Sequence, residues 1–432
     1  MKNKKLSIEE DFSLARQYHK EKKFKDAENL YKKILDIDSN HIKSIFLLGS
    51  LQIQTKNFKS SVETLTKVIQ IHPNHKIALN YLGIAFYKLG EHKKAAEYYK
   101  KSIQIDPNYS EAYNNLGLVF KELGEHKKAI EYYKKGIQID PNNSDAYNCL
   151  GLVFNKLGEH KKAAEYYKKS IQIDPNKTDA YWNLHSHASN IDEALNILKK
   201  LYKIDNTFTN SKIMISALNA YKGNFNDFND LMKSTNSNNP MTRSVNWVLS
   251  LPKIPKIFFN RWDFFNAIIT LADQSRPFYE FGVWNGISFK YLINTFKKGF
   301  GFDTFCGLPE DWHNEPSGTY SSFGSIPKIK GGEFIVGKFE DTLPKFFSQK
   351  RPLASIINFD ADLYSSTLCA LNNAKEVIDK NSILIFDEFL INDHWEKDEY
   401  KALNDFCNNL NIEYDVVAIS FYSKQVAVKL KK

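Results

Sequence analysis

Small and apolar positions recur at a fixed step through the first half of the chain. Gly83, Gly117 and Gly151 stand 34 residues apart, Gly49 continues the series backwards, and Ala95, Ala129 and Ala163 keep the same interval. Pro73, Pro107, Pro141 and Pro175 follow it too. Each period contains two stretches of helical periodicity, which predicts helical hairpins that bury their apolar faces only against their neighbours. Gly and Ala let the two helices approach, Phe86, Phe120 and Phe154 are expected to fill the space, and the prolines to cap the following turn. A degenerate first copy runs from about Ile8, with Ala15, Ala27 and Tyr31 in register. A shortened copy follows Thr178, where His185 replaces the glycine. From Asn206 to Lys233 the repeat fades, although Ile213, Ile215, Leu218 and Tyr221 still read as helical.

The period and its residue positions resemble the tetratricopeptide repeat. That resemblance implies an α-solenoid over residues 1–233, degenerate at both ends, with a protein or peptide partner in its groove. Asn80, Asn114 and Asn148 recur on the first helix of each hairpin. Either they hydrogen-bond the backbone of an extended partner, or they are tolerated at a solvated position. His92, His126 and His160 lie a full repeat apart, too far to form a metal cluster, and read as turn residues.

Two boundaries follow. Ser234–Pro240 is polar and loop-like, the expected hinge, and the paired prolines Pro252 and Pro255 prevent a continuous helix. Residues 234–254 are therefore expected to be a linker or adaptor, and Phe258–Ala272 an aromatic-rich helix capping a second domain over residues 255–432.

From Pro277 the pattern changes to short apolar strands alternating with helical stretches. Strands are predicted at Phe278–Phe281, Phe300–Thr304, Glu333–Val336, Ser355–Phe359 and Ser382–Phe386, closing with a hairpin of Tyr414–Ile419 and Gln425–Leu430. Such alternation implies a mainly parallel sheet with helices on both faces and ligands at the carboxyl ends of the strands. The first strand runs into Glu280-Phe-Gly282-Val283-Trp284-Asn-Gly286, a turn that admits a ligand to the backbone but lacks the dinucleotide pattern of glycines. The second ends at Asp303-Thr304, a carboxylate placed for ribose hydroxyls or for capping the next helix.

These blocks, with Gly301-Phe-Asp-Thr-Phe-Cys-Gly-Leu-Pro-Glu310, Val336-Gly-Lys-Phe-Glu-Asp-Thr-Leu-Pro344, Asn358-Phe-Asp-Ala-Asp-Leu-Tyr-Ser-Ser-Thr367 and Ile385-Phe-Asp-Glu-Phe389, resemble the macrocin-type sugar O-methyltransferases. The resemblance spans roughly Pro277 to Leu390. It implies a Rossmann-like class I methyltransferase fold and S-adenosylmethionine as cofactor. Glu280 and Gly282 would meet its methionine end, Asp303 the ribose, and Lys338 and Phe339 the adenine, with Val283, Trp284, Gly286, Thr304 and Asp360 also at the cofactor. It also implies Mg²⁺ held by Asp360, Asp387 and Glu388, with Asp362 competing for the first place, although the family's pair is usually Asp-Asp. Hard carboxylate oxygens suit that ion, which would orient a diol and lower its pKa. Asp362 or His394 would act as general base, with His313 a further loop histidine. Taken singly, each acid could equally be a helix cap or a solvated strand end. The Gly-, Ser- and Pro-containing stretch Trp312–Gly332 reads as a lid or as a surface loop.

Composition narrows the reading. The formal charge of +9 comes largely from Lys-Lys pairs repeating among Glu and Asp, a solvated helix face rather than a phosphate-binding stripe, so no nucleic-acid partner is expected. Four scattered cysteines (Cys149, Cys306, Cys369, Cys407) suggest a reduced interior, and no apolar run is long enough to span a membrane, so a cytoplasmic location is expected. Three functions remain in view. They are O-methyl transfer to a sugar or other diol-bearing acceptor recruited by the repeats, an interaction scaffold with an idle methyltransferase-like domain, and methylation of a protein held in the groove.

Overall fold

The computed structural model describes residues 2–431, which divide into two compact units, one ending at Asn183 and the other beginning at Leu184. The first unit is a run of antiparallel hairpins: α1 (Lys2–Lys20) with α2 (Phe24–Ile37), α3 (Ile42–Gln54) with α4 (Phe58–Ile71), α5 (Lys76–Lys88) with α6 (His92–Ile105), α7 (Ser110–Glu122) with α8 (His126–Ile139), and α9 (Ser144–Lys156) with α10 (His160–Ile173). The unit boundary falls within α11 (Thr178–His185).

The recurring glycine is explained by what faces it. A Cβ at Gly83, Gly117 or Gly151 would stand 2.5, 2.9 or 2.6 Å from the ring of Tyr99, Tyr133 or Tyr167 on the second helix of the hairpin. The aromatic that fills this contact is therefore the tyrosine. Phe86, Phe120 and Phe154, expected there, instead stack on the adjacent Tyr98, Tyr132 and Tyr166 at 5.2, 5.3 and 5.2 Å. The Asp-Pro-Asn turns close on themselves: Asp106, Asp140 and Asp174 each accept a hydrogen bond through Oδ1 from the amide two residues on. His92, His126 and His160, read as turn residues, are the first residues of α6, α8 and α10.

The second unit begins with helices α12 (Ile191–Ile204), α13 (Thr209–Tyr221), α14 (Asn226–Met232) and α15 (Pro240–Ser250). The segment expected as a linker or adaptor contains α15, which is tied to the C-terminal residues. Arg243 pairs with Glu396 at 2.6 Å, Ile391 N donates to Ser244 Oγ at 2.8 Å, and Trp247 packs against Phe389 and Tyr400 at 5.6 Å.

The remaining elements alternate: β1 (Lys256–Phe258), α16 (Arg261–Leu271), β2 (Phe278–Phe281), α17 (Ile287–Phe296), β3 (Gly299–Asp303), β4 (Gly332–Val336), α18 (Phe339–Phe347), β5 (Ile356–Phe359), α19 (Tyr364–Ala374), β6 (Ile383–Phe386), α20 (Glu399–Leu410), β7 (Glu413–Ser420) and β8 (Gln425–Lys431). They form one mixed sheet of order β1-β7-β8-β6-β5-β2-β3-β4, with β8 antiparallel to both neighbours. The short edge strand β1, absent from the sequence reading, pairs parallel with β7.

Strand periodicity of two sorts the side chains. Phe278 and Glu280 of β2 face α16 and α17, where Phe264, Phe265, Phe289 and Leu292 complete a core with Ile356, Ile383 and Ile385. Tyr279 and Phe281 face the other way, towards Phe339 and Phe347 of α18. On that second face Phe302, Phe281, Phe359 and Phe386 are register partners across β3, β2, β5 and β6, and they stack at 4.8, 5.4 and 4.8 Å.

Candidate functional site

Each phenylalanine of that row is the last apolar residue before a residue of the sheet's carboxyl edge. Gly282 follows Phe281, Asp303 follows Phe302, Asp360 follows Phe359 and Asp387 follows Phe386. Parallel register therefore carries four residues, spread over more than a hundred positions, to one rim. The chain proceeds outward from β2 to β3 and β4 on one side, and from β5 to β6 on the other. The rim at β2 and β5 is thus a topological switch point, where open α/β sheets bind ligands.

An open cleft lies there. Of the residues expected at the site, Gly282, Trp284, Asp303, Thr304, Lys338, Phe339, Asp360, Asp362, Asp387 and Glu388 line it. Glu280, Val283, Gly286 and His394 do not line it. Val283 is buried in the core beneath, and a Cβ on Gly286 would meet Pro327 at 3.2 Å. His394 is exposed, its ring 4.5 Å from that of His313, which in turn bonds Asp398 at 2.9 Å. The same cleft is lined by groups the sequence reading did not single out: Arg261, Leu308, Pro309, Trp312, Tyr320 and Ser366.

Gly282 is irreplaceable where it stands. Its φ is +90°, and a Cβ would lie 1.8 Å from the carbonyl oxygen of Asp360. Two non-glycine residues on the rim also take left-handed backbone, Trp284 at φ 48° and Asp362 at φ 59°, and such strain tends to collect where ligands are clamped. Asp303, expected at a ribose, already accepts from the amides of Val283 and Trp284 at 2.7 Å each and of Phe305 at 2.6 Å. It staples the glycine turn to β3, and this fixes the turn's shape from twenty residues away in sequence.

Glu280 is fully buried beneath this turn. Its Oε1 accepts from Ser288 Oγ of α17 at 2.6 Å, while Oε2 has no hydrogen-bond partner. Its register partner Asn358 likewise has an unpartnered buried Oδ1. Burial pushes the Glu280 carboxyl up to about 8, against the opposing pull of Ser288 and Arg261. Burial, with the neighbouring Glu388 and Asp387, raises Asp362 to about 7. Asp360 is raised by burial and by Asp387. The rim thus gathers acids that burial holds towards neutrality, and beneath it the buried Glu280 Oε2 and Asn358 Oδ1 are left as spare acceptors. The unpartnered Oε2 of Glu280 and the bare backbone at Gly282 fit the zwitterionic, sulfonium-bearing S-adenosylmethionine.

Two of the three acids expected to hold Mg²⁺ are already engaged by other side chains. Asp387 is engaged at both oxygens, Oδ2 by Arg261 at 2.5 Å and Oδ1 by Gln425 Nε2 at 2.5 Å. Glu388 Oε2 takes Lys424 Nζ at 2.7 Å. Among the described residues, no group of three or more His, Cys, Asp or Glu side chains is arranged to hold an ion.

Arginine usage could have marked Arg261, though not the acid it reaches. In this lysine-rich chain arginine is confined to Arg16, Arg243, Arg261, Arg276 and Arg351. Arg243, Arg261 and Arg276 all serve carboxylates. Where lysine is the general cation, arginine marks places that need its planar fork.

Comparison with known proteins addresses the other unit. Tetratricopeptide repeat families match residues 18–85, 83–124, 110–143 and 144–177. A crystal structure of MamA shares 30% identity, covering 38% of this chain and 95% of that one, at a TM-score of 0.35. PilF of Pseudomonas aeruginosa shares 18%, covering 51% and 99%, at 0.43. YrrB, described as a repeat protein with an unusual peptide-binding site, shares 17%, covering 44% and 97%, at 0.34. No curated protein matches the chain at a significant level. Residues 18–177 are an array of tetratricopeptide repeats.

Proposed function

We propose that the C-terminal sheet domain is an S-adenosylmethionine-dependent methyltransferase and that the repeat array docks a protein partner or a carrier of the acceptor. The observation that carries the first part is the convergence on one rim of Gly282, Asp303, Asp360 and Asp387, above a buried Glu280 with an unpartnered oxygen. The closing antiparallel hairpin β7–β8, typical of class I methyltransferases, supports the same reading.

When bound, the cofactor would supply an electrophilic methyl group on a sulfonium centre. The residues of this chain divide the remaining work. The Gly282 turn, held open by Asp303, admits the ligand to the backbone. Glu280 receives a positively charged nitrogen with the oxygen that Ser288 leaves free. Trp284, Phe339 and Leu308 give the cleft apolar walls for a flat ring. Asp362, raised towards neutrality and lining the cleft, is placed to take a proton from the acceptor. A sugar hydroxyl remains the expected acceptor from the family resemblance.

Equilibrium dialysis of the full chain against radiolabelled S-adenosylmethionine tests this. Saturable uptake of one equivalent per chain is expected, with S-adenosylhomocysteine appearing once an acceptor is supplied. No uptake sinks the enzyme reading.

A second reading has its own observation, since the family matches fall on the repeats alone. It makes the protein an interaction scaffold whose sheet domain is idle. Uptake of the cofactor with no turnover on any acceptor pool, including the captured partner itself, would favour it.

A further inference from the structure

We infer that the cleft works without a divalent metal, the guanidinium of Arg261 and the ammonium of Lys424 standing in the positions a cation would need at Asp387 and Glu388. This rests on the proposed cofactor reading and departs from what the family resemblance implies.

Asp387 is almost wholly covered, its side chain 7% exposed, and both of its oxygens are taken. The Gln425 amide that holds Oδ1 is itself fixed. Gln425 is fully buried, and its Oε1 accepts from Ser423 Oγ at 3.0 Å, so its NH2 must face the aspartate. Ser423 is held in turn by Ser420 Oγ at 2.7 Å. For Asp387 to turn towards a metal, a buried donor would lose its acceptor and a doubly charged ion would have to settle beside a guanidinium that cannot be deprotonated. Glu388 meets the same obstacle in Lys424, carried by the β7–β8 turn. The two cations arrive from opposite ends of the domain, Arg261 at the start of α16 and Lys424 at the last hairpin. Each satisfies one acid of the pair.

The consequence reaches the acceptor. A metal site selects molecules that can chelate, and a vicinal diol is one. With Arg261 as the fixed cation, nothing requires the acceptor to chelate. A single hydroxyl, presented to Asp362 within the cleft, is sufficient.

The test uses manganese as probe. The full chain, freed of metal by dialysis, is titrated with Mn²⁺ while the free ion is followed by electron paramagnetic resonance. S-adenosylmethionine binding is measured in parallel, with and without EDTA. The wild type should take up no manganese beyond what serum albumin-free buffer controls show, and cofactor affinity should change less than twofold with EDTA. Arg261→Gln, which uncovers Asp387, should gain an equivalent of bound manganese, with affinity raised roughly tenfold or more. If that variant does not fold, Lys424→Gln at the hairpin turn serves in its place. One manganese per wild-type chain displaced by Mg²⁺, or a tenfold loss of cofactor affinity in EDTA, would overturn the inference. Absence of uptake by wild type and variant alike would overturn the assignment of Arg261 as the excluding group. Failure to bind the cofactor at all counts against the proposed function, and the manganese titration still judges the metal.

Discussion

In the repeat array, the recurring Asn80 and Asn148 are spent on neighbours; on the rim of the sheet, Glu280 and Asn358 are left with spare acceptors. Asn80 and Asn148, which the sequence offered as ligands for a partner's backbone, are buried, and their amide oxygens accept from Asn115 and Asn183 at 3.0 Å. They tie one repeat to the next, which corrects the idea of a free asparagine row. Asn114, third of the series, has its amide buried without a partner and lies against Gly136. On the rim of the sheet the arrangement is reversed, with Glu280 and Asn358 buried and incompletely satisfied. A solenoid builds stability from identical contacts between neighbours, so its polar groups go into the ladder. An active cleft holds acceptors in reserve for a ligand, at a cost to the unliganded fold.

The largest expected effect comes from breaking the rim. Gly282→Val puts a branched side chain where a Cβ already lies 1.8 Å from the Asp360 carbonyl, at φ +90°. Cofactor uptake should fall by at least a hundredfold, and thermal melting should show destabilisation of roughly 3 kcal/mol or more. Tyr133→Ala in the array should cost about 3 kcal/mol by chemical denaturation, since it empties the space against Gly117. That variant should leave cofactor affinity unchanged, because the array supplies no residue to the cleft. Smallest is Asn148→Ala, about 1 kcal/mol on the array, because one buried amide pair is lost. Partner capture should weaken only as far as the array itself loosens, whereas a specific loss of partner with the array intact would restore the asparagines as ligands.

Legibility differed between the regions for a physical reason. In the array every role is written several times at a fixed step, so Gly83 and Gly117 vouch for one another. Even there, which aromatic met the glycine was misassigned. Phe86 lies within one turn of Gly83, whereas Tyr99 sits on the next helix, and only packing across the hairpin reveals that it is the one in contact. In the sheet domain, runs such as Ile356–Phe359 and Ile383–Phe386 are mostly apolar and buried on both faces, and they announced themselves. Edge strand β1 did not, because Lys256-Ile-Phe258 is short and beside a proline. Gly282, Asp360 and Asp387 were legible because each directly follows such a run. The partners of those acids were not. Arg261, Lys424 and Gln425 reach Asp387 and Glu388 across 126, 36 and 38 residues, distances that no periodicity encodes. At the join, expected as a linker or adaptor, the contacts of Arg243 and Trp247 with residues 389–400 were likewise not encoded in any local pattern.

Under the proposed function, Glu280 is kept for a cation. Its carboxyl is raised from the ordinary 4.5 to about 8, so the free protein holds it protonated at neutral pH. Its contribution to stability is accordingly full below about pH 4.5 and is lost as pH rises through 8. Glu280→Gln should match the wild type near pH 5 and exceed it above pH 8, by about 1–3 kcal/mol. Binding a cation needs the ionised form, so affinity should climb with pH until the group ionises by itself. The most direct measurement is isothermal titration of the full chain with S-adenosylmethionine from pH 6 to 9. An affinity that rises about tenfold per pH unit, levels near pH 8 and disappears in Glu280→Gln is the predicted result. Binding that ignores both pH and the glutamine, or no binding at any pH, would contradict it.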